Sequence, residues 1–537
     1  MTPTRSVYCS ARRRWTCVAL ALSLSALVSA PAQAGARGPR LSRDLADRVA
    51  AGRDETTGVI VSGTDESIQA IAARYGVRIK KHLRGGAVLE VTGGQLAALS
   101  QDPDLAHASG DVRVQRTMAV TTESTGATEV WEGSGLPGYT GRGIGVAVID
   151  SGVATHKALR GRIVASMDFT ESSRPGRDQF GHGTHVAGIV AGSDDGGYSG
   201  IAPGAHIVSL RVLGADGSGD TSDVINAIDW AVDHRGQYNI RVINLSLGHA
   251  VFESYRDDPL CAAVQRAVDA GIVVVAAAGN FGKMADGRPV VGGIISPGNA
   301  PAALTVGALN TFGTARRSDD RMATYSSRGP TLIDGVLKPE LVAPGNRIVA
   351  TASAGSYLAE TYPDRVVAGH GSNPYMEMSG TSMSSAVVAG AVALLLEANP
   401  RLTPADVKLV LQLTSSRVPG AGLIEAGAGS LNIASAVTFG AGGALAPVVL
   451  AGEPQTPSGV FYENVVRQRT VVLSLYGAVP IFATTLGVGG VARGPDLTLP
   501  NSIVWTNSIV WTDSIVWTDS IVWTDSIVWT DAQPESD

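Results

Sequence analysis

Five short runs in the middle of the chain are apolar at almost every position. They lie at 145–149, 207–212, 242–246, 272–276 and 304–307. Runs of this length without polar alternation are typical of parallel strands buried on both faces. Helical patterns separate several of them, at 185–191, 221–234 and 259–270. This alternation predicts an α/β domain whose parallel sheet is covered by helices on both sides.

A further apolar stretch, 386–398, is hydrophobic all round and predicts a buried helix. Ser382 lies just ahead of it, after the turn residue Gly380. The unpaired N–H groups and the dipole at a helix start would stabilise an oxyanion beside this serine. Serine is also a preferred helix cap, so the stretch by itself does not distinguish a nucleophile from a cap.

Polar groups and glycines follow three of the predicted strands. Asp150 follows the first run, residues 246–248 follow the third, and Asn280 follows the fourth. Because the working groups of parallel sheets collect at the carboxyl ends of the strands, we expect these residues to face one crevice.

Asp150, His182 and Ser382 are the residue types that nucleophilic catalysis by serine requires. An imidazole removes the serine proton near neutral pH, and a buried carboxylate orients the imidazole. The side-chain amide of Asn280 can donate to the oxygen of the attacked bond. Each residue alone also has a structural explanation: the aspartate and asparagine as turn residues, and His182 with His185 as an incomplete set of metal ligands.

The segments around these residues resemble those of the subtilisin-like serine proteases, in that family's order of aspartate, histidine and serine. The resemblance extends over nearly all of 120–440 and includes 200–205, 212–219, 244–248, 274–280, 325–329 and 338–345. So many ordered matches are highly specific. They imply a parallel-sheet, subtilisin-like three-layer catalytic domain.

The resemblance implies a role for each candidate catalytic residue. Ser382 is the nucleophile, His182 is the general base and acid, and Asp150 is the carboxylate that orients it. Asn280 forms the oxyanion hole together with the backbone N–H of Ser382.

Two segments are implied to bind the substrate. Ser246, Leu247 and Gly248 match the segment that pairs with the substrate backbone as an added strand. Ala277, Ala278 and Gly279 match the segment that forms one wall of the pocket for the substrate side chain just before the scissile bond. Phe281, which follows Asn280, favours an apolar pocket.

The family often binds calcium, but two features here depart from the usual site. The loop 193–199 is one residue short, and Ala158 stands where an aspartate is common. We therefore expect no metal ligands and no cofactor. The alternative is that Asp194 and Asp195 still hold a stabilising calcium ion. Ala386 also replaces a proline that is usual just after the nucleophile.

The first 34 residues form a secretory signal with a basic region, an apolar run at 18–28 and the cleavage motif Ala32-Gln33-Ala34. We expect export to the extracellular space, the periplasm or the cell surface. Residues 35–118 follow the order strand, helix, strand, strand, helix, strand of an α+β ferredoxin-like domain. This domain resembles the family's inhibitory propeptide, and an independent binding module is the alternative.

The composition argues against nucleic-acid binding and against an internal disulfide. The net charge of −6 gives no basic surface for nucleic acid. Without the signal, Cys261 is the one remaining cysteine, so the mature chain has no internal disulfide.

The C-terminal part changes character after residue 440. Residues 441–500 contain a charge-free stretch at 470–492, but its basic flank would lie on the exported side, which argues against a membrane span. At 502–531 the hexapeptide Ser-Ile-Val-Trp-Thr-Asp/Asn repeats five times. As a strand it would align its tryptophans on one face, whereas a low-complexity expansion explains it without function.

The sequence therefore predicts a secreted serine endopeptidase, made as a zymogen, that acts on protein or peptide substrates and is inhibited by its own propeptide. The alternative is an exported surface-binding or assembly protein that uses the tryptophan repeats and carries an inactive protease fold. A third hypothesis is that the protein is an esterase or ligase that uses the same acyl-enzyme.

Overall fold

The computed structural model describes ten stretches of the chain, separated by gaps, and the backbone of three short segments in the tail. They are 41–83, 86–105, 107–111, 117–133, 137–170, 177–193, 198–284, 286–369, 373–463 and 490–493, and in the tail 504–505, 508–511 and 515–518. The predicted signal, the predicted strand at 112–114 and most of the repeats lie outside these residues. The chain divides into two compact units, Met1–Val114 and Gln115–Asp537.

The first unit is a four-stranded antiparallel sheet with helices. Its elements are α1 Arg43–Ala50, β1 Thr57–Ser62, α2 Asp65–Tyr75, β2 Arg78–Leu83, β3 Gly86–Val91, α3 Gly93–Leu99 and β4 Ala108–Gly110. The strand order is β2-β3-β1-β4, which is the split βαβ arrangement. Thr64 and Thr92 cap α2 and α3 by accepting from backbone N–H groups three residues on. The first helix was not predicted, and the last strand precedes the predicted one.

The second unit holds the remaining elements. They are α4 Thr117–Thr125, α5 Ala127–Glu132, β5 Gly145–Asp150, β6 Ile163–Asp168, α6 His182–Ala191, β7 His206–Arg211, α7 Thr221–Asp233, β8 Ile240–Leu245, α8 Pro259–Asp269, β9 Val273–Ala277, β10 Leu304–Asn310, β11 Arg321–Met322, β12 Leu341–Pro344, β13 Ile348–Thr351, α9 Tyr357–Thr361, β14 Val366–Ala368, β15 Tyr375–Met378, α10 Thr381–Ala398, α11 Pro404–Thr414, α12 Leu423–Ala426, α13 Ile433–Gly440, β16 Val448–Leu450, β17 Glu453–Gln455, β18 Val460–Glu463, β19 Gly490–Arg493, β20 Val504–Trp505, β21 Ser508–Trp511 and β22 Ile515–Thr518.

The main sheet has the order β11-β10-β9-β8-β5-β7-β6, with β12 paired to β10. All of its pairings are parallel except that of β10 with the short β11. Alternate residues of β5 face opposite sides: Val146 and Val148 pack in one core with α6 and α10, and Ala147 and Ile149 in another with α7 and α8. The domain is therefore the three-layer α/β structure that the apolar runs predicted.

Besides the two-residue β11, two strands of this sheet were not predicted. β6 lies at the edge with several half-exposed positions, so its sequence lacks a continuous apolar run. β12 has only four residues and ends in a proline. Both are recognised through their partners in the sheet and not through a local pattern.

Helix α10 runs through the interior and begins at Thr381, five residues ahead of the predicted apolar stretch. Among the described residues it is the one helix long and apolar enough to cross a membrane, but 83% of its apolar window is buried inside the protein. That burial is typical of a core helix.

The beginning of the predicted C-terminal extension packs on this domain. Leu450, Phe461 and Tyr462 are buried. Gln412 of α11 donates from Nε2 to the carbonyl of Tyr462 at 3.2 Å. Phe461 and Tyr462 therefore pack against the rest of the second unit, in small apolar clusters with Leu413 and Leu337 respectively.

Candidate active site

Asp150 and His182 meet where a central strand ends and a buried helix begins. Asp150 is the last residue of β5 and is fully buried, and His182 is the first residue of α6. The Nδ1 of His182 lies 2.8 Å from Oδ1 and 2.9 Å from Oδ2 of the carboxylate. The carboxylate also accepts the backbone N–H of Ser151 at 2.7 Å. The imidazole is thus held in one orientation, with Nδ1 as the donor.

The start of α6 is fixed by Asp178, which the sequence analysis did not single out. Its carboxylate accepts from the N–H of Gly181 at 2.6 Å, the N–H of Thr184 at 2.8 Å and the hydroxyl of Ser151 at 2.8 Å. Burial raises the pKa of Asp178 above its ordinary value, although these hydrogen bonds lower it. An aspartate a few residues ahead of a helix is a capping signal, and it could have been recognised.

The two histidines of α6 have different protonation behaviour. Burial lowers the pKa of His182, but the charge and hydrogen bond of Asp150 raise it, and the net pKa lies above the ordinary 6.5. Burial lowers the pKa of His185 to about 4, even though its Nε2 donates to the Met376 carbonyl at 2.9 Å. Of these two histidines, only His182 therefore has a raised pKa.

Ser382 lies in the first turn of α10, and its hydroxyl points to the end of β8. It donates to the carbonyl of Ser246 at 3.1 Å. In return the hydroxyl of Ser246 donates to the carbonyl of Ser382 at 2.9 Å and lies 2.9 Å from the hydroxyl of Ser385. Asn244 donates to the Ser246 hydroxyl at 2.8 Å. Among the described residues Ser382 makes no hydrogen bond with His182, so it must rotate before a proton can pass between them.

Asn280 is hydrogen-bonded to Thr381, the neighbour of Ser382 in the chain. Its Oδ1 accepts from the N–H of Thr381 at 3.0 Å and from the Thr381 hydroxyl at 3.1 Å. Among the residues that the structure describes, none accepts a hydrogen bond from the amide N–H₂ of Asn280. The point that a Cβ on Gly380 would occupy lies 3.5 Å from Nδ2 of Asn280 and 3.7 Å from the backbone nitrogen of Ser382. Two N–H donors therefore border one small volume beside the nucleophile.

The predicted substrate-binding segments follow adjacent strands of the sheet. Residues 246–248 continue β8, and 277–279 end β9 and lead to Asn280. Gly248 and Asn280 are exposed, whereas Ala277, Ala278 and Gly279 are buried. Phe281 is exposed beside Asn280. The carboxyl edge of the sheet thus brings both segments and Asp150 to one side of the domain, as the strand order requires.

Ser353 and Tyr357 hold the loop that leads to His182, and no local pattern in the sequence indicated this. The hydroxyl of Ser353 donates to the carbonyl of Asp178 at 2.7 Å. The N–H of Tyr357 donates to the carbonyl of Gln179 at 2.8 Å, and its ring stacks on Phe180. These contacts span more than 170 residues, as in the Ser353–Asp178 bond, so only the fold reveals them.

The calcium expectation stays a prediction. Among the described residues no group of three His, Cys, Asp or Glu side chains is placed to hold a metal ion. Ala158 is buried, and Asp194 and Asp195 lie outside the described residues.

Comparisons with known proteins show which chains this one resembles. A family model described as "Subtilase family" matches residues 141–442. "Serine protease AprX" of Bacillus subtilis (strain 168) is 37% identical over 336 residues, which are 60% of this chain and 72% of that protein. "Subtilisin E" of the same organism is 37% identical over 281 residues, or 52% of this chain and 62% of its own length. The solved structure "S41 Psychrophilic Protease" is 32% identical with a TM-score of 0.46, covering 58% of this chain and 99% of that one.

Proposed function

The chain belongs to the subtilase family of serine endopeptidases, and on that premise we propose that it is exported as a zymogen and cleaves proteins through an acyl-enzyme on Ser382. The observation that carries the proposal is the Asp150–His182 pair, 2.8 Å apart at the end of β5, together with Ser382, whose hydroxyl bonds the carbonyl of Ser246 just beyond the adjacent β8.

The proposed reaction begins when the Ser382 hydroxyl turns from the Ser246 carbonyl to Nε2 of His182. The imidazole takes the proton while Oγ attacks the peptide carbonyl, and Asp150 stabilises the imidazolium. Collapse of the tetrahedral intermediate breaks the C–N bond, and the proton passes from His182 to the leaving amine. Water, deprotonated by the same imidazole, then hydrolyses the ester and regenerates Ser382.

The oxyanion is proposed to sit between Nδ2 of Asn280 and the Ser382 N–H, because both nitrogens lie within 3.7 Å of one point, the position of a Cβ on Gly380. Thr381 fixes the amide by donating twice to Oδ1. The donors are thus in place before the charge develops, which is what makes such a site effective.

Protein and peptide substrates are favoured by residues 246–248, which run beyond the end of β8 and reach the surface at Gly248. An extended peptide can pair its backbone there without regard to most of its side chains. Ser246 contributes its carbonyl to Ser382 in the free enzyme, so the same segment touches both the nucleophile and the substrate.

The first unit is proposed to be the inhibitory propeptide. Its removal requires a cut near the boundary of the two units. Met118, in α4, packs in the main core, so a cut inside α4 would need this helix to unfold. We therefore place the junction ahead of Thr117.

The test uses the secreted wild-type protein and the Ser382→Ala variant. We expect the wild type to react with a fluorophosphonate probe, digest casein and release a fragment of about 80 residues, estimated from the distance between the two proposed cuts. We expect Ser382→Ala to do none of these. Ser318→Ala, an exposed serine remote from the site, is the matched control.

Three results would contradict the proposal. Casein digestion by Ser382→Ala at the wild-type rate would remove Ser382 from the reaction. A secreted wild type that is folded, free of the first unit and unlabelled by the probe would favour the alternative of a binding or assembly protein with an inactive protease fold. Cleavage of esters without cleavage of peptide bonds would favour the hypothesis that the protein is an esterase.

A further inference from the structure

One side chain fills the space between the two proposed substrate-binding segments. Ile295 lies between Gly248, beyond β8, and Gly279, beyond β9. A Cβ on Gly248 would lie 2.7 Å from Cδ1 of Ile295, and a Cβ on Gly279 would lie 2.8 Å from its Cγ2. Real Cβ atoms do not approach carbon so closely, so the isoleucine is in contact with both glycines. The gap between the segments is therefore one isoleucine side chain wide.

The backbone of Ile295 is attached to both segments. Its N–H donates to the carbonyl of Ala278 at 3.1 Å. The next residue, Ser296, exchanges two hydrogen bonds with His249, at 2.9 and 3.0 Å. On the other side, the carbonyl of Ile295 accepts from the N–H of Asn299 at 2.9 Å. The side chain cannot leave the gap by a simple shift of the loop, because such a shift would break these bonds.

The solvent exposure of the residues that line the gap shows that its entrance is open and its interior is filled. Gly248 and Asn280 at the mouth are exposed. Ile295 is only 8% exposed, and Ala277 and Ala278 behind it are buried. A substrate side chain that enters between the segments therefore meets the branched end of Ile295 at once.

We propose that Ile295 is a specificity-determining residue that restricts the residue before the scissile bond to small side chains such as alanine. The inference rests on the proposed function, since it needs residues 246–248 and 277–279 to hold the acyl half of a peptide substrate. A methyl group fits over the isoleucine, whereas an aromatic ring would need the volume that Ile295 occupies. Forcing a ring into that volume costs rotamer strain or displaced backbone.

The experiment compares two succinyl tetrapeptide p-nitroanilides that differ only in the last residue, alanine or phenylalanine. We expect wild-type kcat/KM to favour alanine by at least roughly tenfold, because pocket misfits of this kind change kcat/KM by about 10–200-fold. In Ile295→Gly the preference should reverse, moving the ratio toward phenylalanine by roughly 100-fold. Val291→Ala, an exposed residue of the same loop, should leave the ratio unchanged.

Rates are divided by the concentration of sites that react with the fluorophosphonate probe, so partial misfolding does not mimic a change of preference. Ile295→Ala is the second variant, and it should move the ratio in the same direction by a smaller factor. The inference is overturned if wild-type enzyme prefers phenylalanine, or if the ratio is unchanged in labelled Ile295→Ala. Failure of the proposed function is a different result, namely wild-type protein that neither labels nor hydrolyses either substrate.

Discussion

Two buried regions of the catalytic domain each pair a carboxylate with basic groups. In the first, Asp150 holds the imidazole of His182. In the second, Oε1 of Glu340 lies 2.7 Å from Nζ of Lys338 and 2.6 Å from Nζ of Lys408. Both carboxylates are fully buried. Burial and charge alone therefore do not distinguish a reactive site from a structural one.

The two regions differ in what remains unpaired. In the lysine cluster, Oε2 of Glu340 accepts the N–H of Thr305, and both ammonium groups also donate to the carbonyl of Ala303. His182, in contrast, has no partner for Nε2 among the described residues, and its side chain is 14% exposed. A free basic atom at the edge of solvent can take a proton from a substrate or nucleophile, and a fully partnered cluster cannot.

The pKa values follow the same division. Burial lowers the pKa of Lys338 to about 7, with Lys408 adding to the effect and Glu340 opposing it. For His182 the carboxylate outweighs burial and the pKa is raised. The comparison leads to opposite expectations for substitution: the first region should govern rate, and the second should govern stability.

The largest effect is expected for Asp150→Asn. The asparagine keeps the shape but loses the charge that orients and stabilises the imidazolium, so kcat/KM should fall by about 10⁴-fold, as on removal of the carboxylate from other serine protease triads. The assay uses a peptide p-nitroanilide with Ser382→Ala as the blank for contaminating protease. A loss below tenfold would mean that Asp150 does not act through His182.

Glu340→Gln should produce the reverse pattern. It leaves two buried lysines without a carboxylate, and breaking a buried ion pair costs about 3–5 kcal/mol of the free energy of unfolding. Urea unfolding is measured in the Ser382→Ala background, where no self-digestion occurs. In the active enzyme, kcat per labelled site should be unchanged.

The control for this prediction is an exposed ion pair. Arg266 and Asp229 lie 2.8 Å apart with half-exposed side chains, and removal of such a pair costs about 0–1 kcal/mol. Asp229→Asn should therefore change the free energy of unfolding much less than Glu340→Gln. Equal losses in the two variants would break the comparison between buried and exposed carboxylates.

The sequence could identify the residues at strand ends and helix starts because local patterns mark those places. Asp150 follows an apolar run, and Ser382 precedes one. The lysine cluster has no such mark: Lys338 and Lys408 are 70 positions apart in the sequence, and only the fold brings both to Glu340. The roles of Ser353 and Tyr357 were missed for the same reason.

Thr381 is an intermediate case. It is adjacent to Ser382, yet its function depends on Asn280, which lies 101 positions earlier. In a sequence, a threonine at the start of a helix predicts an N-cap. No local pattern shows that its hydroxyl holds the side-chain amide of Asn280 instead. Side-chain pairs between distant segments are what sequence patterns omit, even when one partner lies in a recognised motif.

Thr381→Val therefore tests a smaller contribution to the reactive region. The variant removes one of two donors to Oδ1 of Asn280 and one acceptor for the N–H of Gly279. Loss of the hydrogen bond to Oδ1 of Asn280, about 1–1.5 kcal/mol, corresponds to roughly a tenfold lower kcat with KM little changed, and loss of the acceptor for Gly279 adds to this effect. Thr381→Ser keeps the hydroxyl and should retain most of the rate. Equal loss in both variants would indicate packing and not orientation of the amide.

The smallest effect concerns pH. The reaction needs neutral His182, whose pKa is raised above 6.5, so the acid limb of kcat/KM should have its midpoint above pH 6.5. In Asp150→Asn the charge that raises the pKa is gone while burial still lowers it, so the remaining activity should persist to lower pH. His185, with a pKa lowered to about 4, stays neutral over this range and adds no limb. The readout is the midpoint of the pH profile on one substrate at constant ionic strength. A wild-type midpoint below 6.5, or a limb that moves to higher pH in Asp150→Asn, would show that Asp150 does not set the basicity of His182.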